Sequence, residues 1–159
     1  EQIVVNRQSL TLLRKHCNDS VISVGTTSLR TLESIYWLGV KLEKGYEYRD
    51  EGFSIEQWEP YDHSQQKTIS VCRAIDWVKK DMDKKGIDQI HGETSLIILP
   101  GYDVKMANIL VTNFHQPRST LLLLVAAFVG NDWKKIYNFA LENDFRFLSY
   151  GDSCLLFKT

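Results

Sequence analysis

Apolar residues fall along the chain in segments of differing period, and the segments alternate in type. Gln2-Ile3-Val4-Val5 at the start reads as the middle of an element. Over residues 6–17, Leu10, Leu12 and Leu13 interleave with Arg7, Arg14 and Lys15, an amphipathic pattern that predicts a surface helix. Residues 20–24, Ser-Val-Ile-Ser-Val, read as a buried strand, and Leu29, Leu32, Ile35 and Tyr36 then recur at helical spacing after a short polar loop. Polar residues 43–66, broken by Gly45, Gly52 and Pro60, read as a loop with room for one short extended piece.

Further on, Val71, Ile75, Trp77, Val78 and Met82 alternate with charge, predicting a helix over 69–86 that Gly86 caps. Residues 93–99, closed by Pro100-Gly101, and 108–114, closed by His115-Gln116-Pro117, read as strands. Residues 119–129 are apolar almost all round and predict a buried helix, and Trp133, Ile136, Tyr137, Ala140 and Leu141 mark an amphipathic one. A last strand is expected at 154–157. This order predicts an α/β fold, one mixed sheet with flanking helices.

With 43% hydrophobic and 25% charged residues, the chain can bury a core. That balance, in a chain of ordinary domain size, excludes disorder. A formal charge of -1 provides no global field for nucleic acid, so any RNA contact is local. The basic pairs Lys79-Lys80, Lys84-Lys85 and Lys134-Lys135 suit solvated helix faces or an RNA-contacting edge. Cys17, Cys72 and Cys154 are odd in number and far apart, which argues against a disulfide framework or a metal site and for a reducing cytoplasm. The longest apolar run, 121–129, is too short to span a bilayer, so no membrane association is expected.

Five places can carry chemistry. Gly25-Thr26-Thr27-Ser28 sets small residues and hydroxyls between a strand and a helix start, where free N–H groups suit an anion or ribose hydroxyl, although capping alone explains them equally. On that helix Arg30 and Glu33 are neighbours, as an anion clamp or a surface ion pair. Asn113 and His115 stand at the carboxyl end of a strand, where α/β sheets bind ligands; His115 is a general base or a hydrogen-bonded structural histidine. Arg118 and Ser119 open the buried helix as anion holder and cap, and Tyr150-Gly151-Asp152 is a polar turn in which Asp152 binds a ribose hydroxyl or makes an Asx turn.

Three ordered blocks carry a resemblance. Residues 24–34, Val-Gly-Thr-Thr-Ser-Leu-Arg-Thr-Leu-Glu-Ser, residues 112–121, Thr-Asn-Phe-His-Gln-Pro-Arg-Ser-Thr-Leu, and residues 145–152, Phe-Arg-Phe-Leu-Ser-Tyr-Gly-Asp, resemble segments of the S-adenosylmethionine:tRNA ribosyltransferase-isomerases. Gln116 replaces the family's usual leucine and Phe145 its usual tyrosine, and residues 43–92 match no motif. The resemblance implies a C-terminal part, residues 1–159, of the main α/β domain in a larger two-domain fold. The family's N-terminal portion and inserted β-rich domain match nothing in the sequence, so the chain, which has no initiator methionine, reads as a fragment expected to be inactive alone.

The family's reaction transfers and isomerises the ribosyl part of S-adenosylmethionine onto 7-aminomethyl-7-deazaguanine in tRNA, giving epoxyqueuosine. The cofactor is consumed as a co-substrate; no permanently bound cofactor or metal is implied, and a cytoplasmic monomer is expected for the full-length protein. The resemblance implies His115 as base or proton shuttle, Arg30 and Arg118 as clamps, and Asn113 and Asp152 as groups orienting ribose or base. Gly25, Thr26, Thr27, Ser28, Ser119 and Tyr150 complete the expected cofactor site. Rival readings are a methyltransferase, for which the glycine-rich loop is missing, and a non-catalytic RNA-binding module. An exposed apolar face is expected where the rest of the family fold packs.

Overall fold

In the computed structural model, residues 1–48, 52–62 and 68–159 are described, so parts of the polar region 43–66 lie outside the described residues. The chain divides into two compact units, one of residues 1–19 and 30–96, the other of 20–29 and 97–159. Among the described residues each has its own three-stranded mixed sheet, where the sequence pattern suggests a single one.

The first unit holds β1 (Gln2–Asn6), α1 (Arg7–Lys15), β3 (Phe53–Ile55), α3 (Val71–Lys85), β4 (Gln89–Thr94) and most of α2 (Thr26–Glu43). β4 is central, antiparallel to β1 and parallel to β3. Alternation decides which side packs. Ile3, Val5, Phe53, Ile55 and Ile90 are buried, whereas Gln2, Val4, Asn6, Gln89, His91 and Glu93 face outward, all polar except Val4. Gly92 admits the Phe53 ring, since a Cβ there would lie 2.4 Å from its Cδ1.

The expected strand at 93–99 is displaced: β4 ends at Thr94, and Leu96 and Ile98 are buried outside any strand. Apolar content there reflects burial, while the true strand is amphipathic and so more polar than the run that follows.

The helix ends follow local chemistry. The Asn6 side chain accepts from the Ser9 N–H at 2.7 Å to start α1, a polar N-cap that satisfies one of the helix's free donors. Ser70 caps α3 in the same way by accepting from the Arg73 N–H. Gly86, at φ 64, ends α3 in the left-handed conformation that costs glycine least.

The cysteine reading requires correction. Cys17, just past α1, and Cys72, in the first turn of α3, form a disulfide with Cα atoms 5.4 Å apart, while Cys154 is free. Helix packing, which sequence spacing does not report, brings residues 55 positions apart together. Closing a loop of that length stabilises by at most about 4 kcal/mol in the chain-entropy account. Reductant is therefore expected to lower the chain's denaturation midpoint; an unchanged midpoint would mean that the crosslink adds no stability.

The second unit contains β2 (Ile22–Val24), the first turn of α2, β5 (Ile109–Asn113), α4 (Thr120–Val129), α5 (Trp133–Glu142) and β6 (Ser153–Phe157). β5 is central, parallel to β2 and antiparallel to β6. Ser23, Leu110, Thr112 and Leu156 are buried on one face of the sheet, and α4, which lies against β6, buries Leu124, Val125, Ala126, Phe128 and Val129. Each leucine- or phenylalanine-sized side chain so buried contributes roughly 1.5–3 kcal/mol. Among the described residues no helix is long and apolar enough to cross a membrane.

Candidate functional site

The second unit brings together most of the residues singled out in the sequence. β2 runs into Gly25, whose φ of 91 lies in the left-handed region that glycine adopts without steric cost. Its N–H donates to the Val111 carbonyl of β5 at 2.8 Å. That bond ties the Gly25-Thr26-Thr27-Ser28 loop to the neighbouring strand just before β5 delivers Asn113 and His115. Thr27 and Ser28 are exposed, Gly25 and Thr26 half-buried.

His115 follows β5 with its backbone and ring both engaged. Its N–H donates to the Tyr137 hydroxyl of α5 at 3.1 Å, and its Nε2 lies 3.0 Å from the Thr112 hydroxyl. Burial pushes the imidazole below its ordinary near-neutral pKa, because the imidazolium is the costlier form to desolvate. At neutral pH the ring is thus uncharged and able to accept a proton. Burial also raises the Tyr137 phenol and the Cys154 thiol, keeping both protonated.

The 145–152 turn is held by two of the expected ligand residues. The Asn113 side-chain amide donates to the carbonyls of Leu148 at 2.9 Å and Gly151 at 3.3 Å. The Asp152 carboxylate accepts from the Arg146 N–H at 2.8 Å, and the Asp152 N–H donates to the Arg146 carbonyl at 2.8 Å. Gly151 is required sterically, since a Cβ would lie 2.3 Å from the Arg146 carbonyl oxygen. This turn presents Tyr150 95% exposed.

Between β5 and α4, Arg118 is exposed, takes φ 63, and has no ion-pair partner among the described residues. Ser119 serves as the N-cap of α4. Its hydroxyl accepts from the Leu122 N–H at 3.3 Å and donates to the Gln116 carbonyl at 2.8 Å.

Arg30 belongs to the first unit instead, where its guanidinium meets the Glu1 carboxylate at 2.9 Å and the Leu96 carbonyl at 3.0 Å. Its neighbour Glu33 is fully buried rather than part of a surface pair.

Two residues outside the expected set prove central to the geometry. Thr112, within the second motif block, is the ring partner of His115, and Tyr137 holds its backbone. Tyr137 fits the apolar stripe of α5, so its period reads as core; it does pack edge-on to Phe114, 5.4 Å between centroids, while its hydroxyl reaches the site. A hydroxyl on an otherwise apolar helical face is the one signal that the sequence offers.

The family model described as "Queuosine biosynthesis protein" matches residues 1–156. The S-adenosylmethionine:tRNA ribosyltransferase-isomerase of Chlorobaculum parvum is 46% identical over 89 residues, 55% of this chain and 26% of that protein. Its counterpart in Gluconobacter oxydans is 54% identical over 67 residues, 42% of this chain and 19% of that one. The crystal structure of S-adenosylmethionine tRNA ribosyltransferase from Thermotoga maritima matches with a TM-score of 0.60 at 29% identity, covering 97% of this chain and 39% of that one. The matches therefore span no more than about two fifths of each of these relatives. With the family model matched along almost its whole length, the chain belongs to the queuosine biosynthesis protein family.

Proposed function

We propose that this chain supplies part of the site at which the ribosyl moiety of S-adenosylmethionine is transferred and isomerised onto 7-aminomethyl-7-deazaguanine in tRNA, giving epoxyqueuosine. The observation that carries the reading is the position of His115: a half-buried, neutral imidazole at the carboxyl end of β5, beside a Gly25 loop bonded to the same strand. The names of the relatives support the substrate pair.

The chemistry begins with loss of a proton from the ribose C5′, made acidic by the adjacent sulfonium. Adenine then leaves, the amine of the tRNA base attacks, and closure to the epoxide expels methionine. His115 takes the proton, and its uncharged form at neutral pH meets that requirement. Arg118 is the anion clamp for a carboxylate or phosphate, being exposed and unpaired, and the helix start at Gly25 to Ser28 holds a ribose hydroxyl or a second anionic group. Asn113 and Asp152 act through the turn they pin, which sets Tyr150 beside the substrate. Arg30 stays outside this clamp, its guanidinium being engaged by Glu1 and the Leu96 carbonyl.

S-adenosylmethionine is a co-substrate here, not a resident cofactor. A tRNA substrate implies a cytoplasmic protein, and we read the full-length form as a monomer.

Calorimetric titration with S-adenosylmethionine tests the reading. The 159-residue chain is expected to bind weakly and to lose about tenfold or more in affinity on Arg118→Ala, the usual scale for one charge-assisted hydrogen bond. Absence of heat from a chain that circular dichroism shows folded would remove these loops as a cofactor site in their own right.

A further inference from the structure

The first unit carries a pair of sulfurs that the candidate site does not use. Cys17, in the turn after α1, and Cys72, in the first turn of α3, are bonded to each other and both half-exposed, so a small thiol reagent can reach them. Cys154 is free and half-buried, and burial keeps its thiol protonated. A cytoplasmic chain, as the tRNA reading has it, works where disulfides are usually transient, and catalytic or redox-sensing rather than structural.

The fold accommodates both states of the pair. α1 packs along α3, and the Arg14 guanidinium meets the Asp76 carboxylate of α3 at 2.7 Å. These contacts do not pass through the sulfurs, so they keep the two cysteines within reach when the bond is open. The sulfurs differ in their surroundings. Arg14 Nη1 lies 3.4 Å from the Cys17 sulfur, a fixed cation that favours thiolate over thiol. The Asn18 side-chain oxygen lies 3.4 Å from the Cys72 sulfur, an acceptor for its S–H once the bond opens. The turn between α1 and β2 has local bonds of its own: the Asp19 N–H donates to the His16 carbonyl at 2.9 Å, and the Asp19 carboxylate meets His16 Nδ1 at 2.8 Å. The disulfide adds a covalent tie to α3.

We propose that Cys17 and Cys72 form a reversible thiol–disulfide pair, closed by a low-molecular-weight disulfide and opened by excess thiol, which clamps the turn from which the chain passes into β2. The Cys17 thiolate attacks one sulfur of the reagent, whose S–S bond breaks and releases one thiolate. Cys72, losing its proton to solvent, then attacks the Cys17 sulfur; the mixed disulfide breaks and the second reagent thiolate leaves. Two protein thiols are oxidised and one reagent disulfide is reduced to two thiols.

Exchange with glutathione in the folded, reduced 159-residue chain tests this, with free thiols trapped by iodoacetamide and mapped by mass spectrometry. Oxidised glutathione is expected to close the Cys17–Cys72 bond and leave Cys154 unmodified. Excess reduced glutathione is expected to reopen it with the circular dichroism unchanged, and closure to slow hydrogen exchange at residues 16–19 several-fold. In Cys72→Ser the reaction should stop at a mixed disulfide on Cys17, formed at least about threefold faster than the one on Cys72 in Cys17→Ser. That factor is the net gain for a thiol whose pKa lies one unit lower, since about ten times more is ionised but each thiolate is less nucleophilic. Arg14→Ala should remove the difference and Arg14→Lys retain it. A bond that excess reduced glutathione leaves closed in the folded chain would make the crosslink structural and overturn the proposal. So would failure of the pair to close, faster reaction at Cys72, or unchanged exchange in the turn. None of these readouts involves S-adenosylmethionine, so the reading of the candidate site stands or falls separately.

Discussion

His115→Ala is expected to lower turnover by about 100- to 10,000-fold, the range that one positioned proton acceptor supplies, in a polypeptide carrying this chain with the portions its relatives have outside the matched segment. Affinity for S-adenosylmethionine should change by less than about threefold, the split between kcat and binding that marks an interaction made during proton transfer. The Tyr137 hydroxyl meets the backbone of residue 115, so that contact survives the substitution and the loop keeps its anchor. Thr112→Val leaves the imidazole but removes its hydroxyl partner at 3.0 Å, and is expected to act mainly through the pH profile.

The pH dependence has a definite sign. Burial lowers the folded-state pKa of His115, so the unfolded chain, titrating at about 6.5, binds the proton more readily. The stability tied to the neutral ring is full above that unfolded value and is lost as pH falls through the lowered folded one. His115→Ala should flatten this acid-side decline in the denaturation midpoint as well as lower turnover. Turnover that the substitution leaves unchanged removes His115 from the mechanism.

Period and punctuation make most helices legible. Gly86 ends α3 one residue beyond its last turn, and Ser119 opens α4, because caps are local chemistry written beside the element they end. The strand after α3 escapes this reading because an apolar run does not imply pairing: Leu96 and Ile98 are buried without a ladder, while β4 hides its face behind Gln89, His91 and Glu93. Pairing between distant segments is where sequence reasoning runs out, and it explains both the division into two sheets and the Cys17–Cys72 bond.

In the candidate site, residue types are legible and partners are not. Asn113 and Asp152 are polar groups that ligands favour, and Asn113 stands at a strand's carboxyl end, yet their hydrogen bonds go to the 145–152 turn. Nothing in the spacing of Tyr137 tells that its hydroxyl reaches the His115 backbone, 22 residues away.

A second large effect is expected in the first unit, where propensity and packing make opposite predictions. Gly39 lies inside α2, and replacing an exposed helical glycine by alanine ordinarily stabilises by roughly 0.8–1 kcal/mol. Here a Cβ would lie 2.3 Å from the Ala74 carbonyl oxygen of α3 and 2.6 Å from its carbonyl carbon and Cα. All three atoms are backbone, so no side-chain rotation relieves the overlap; α2 and α3 must separate. Separation loosens Ile35, Leu38, Ile75 and Val78, each no more than 2% exposed, and strains the bond from the Tyr36 hydroxyl to the Ile69 carbonyl. Overpacking of this kind costs about 1–3 kcal/mol, which exceeds the propensity gain. Gly39→Ala is therefore expected to lower the denaturation midpoint, whereas Gly101→Ala, with φ 96 but nothing within 4 Å, shows the cost of backbone conformation without a clash. A midpoint raised by Gly39→Ala would mean that the helices do not approach here, and that propensity alone governs this turn of α2.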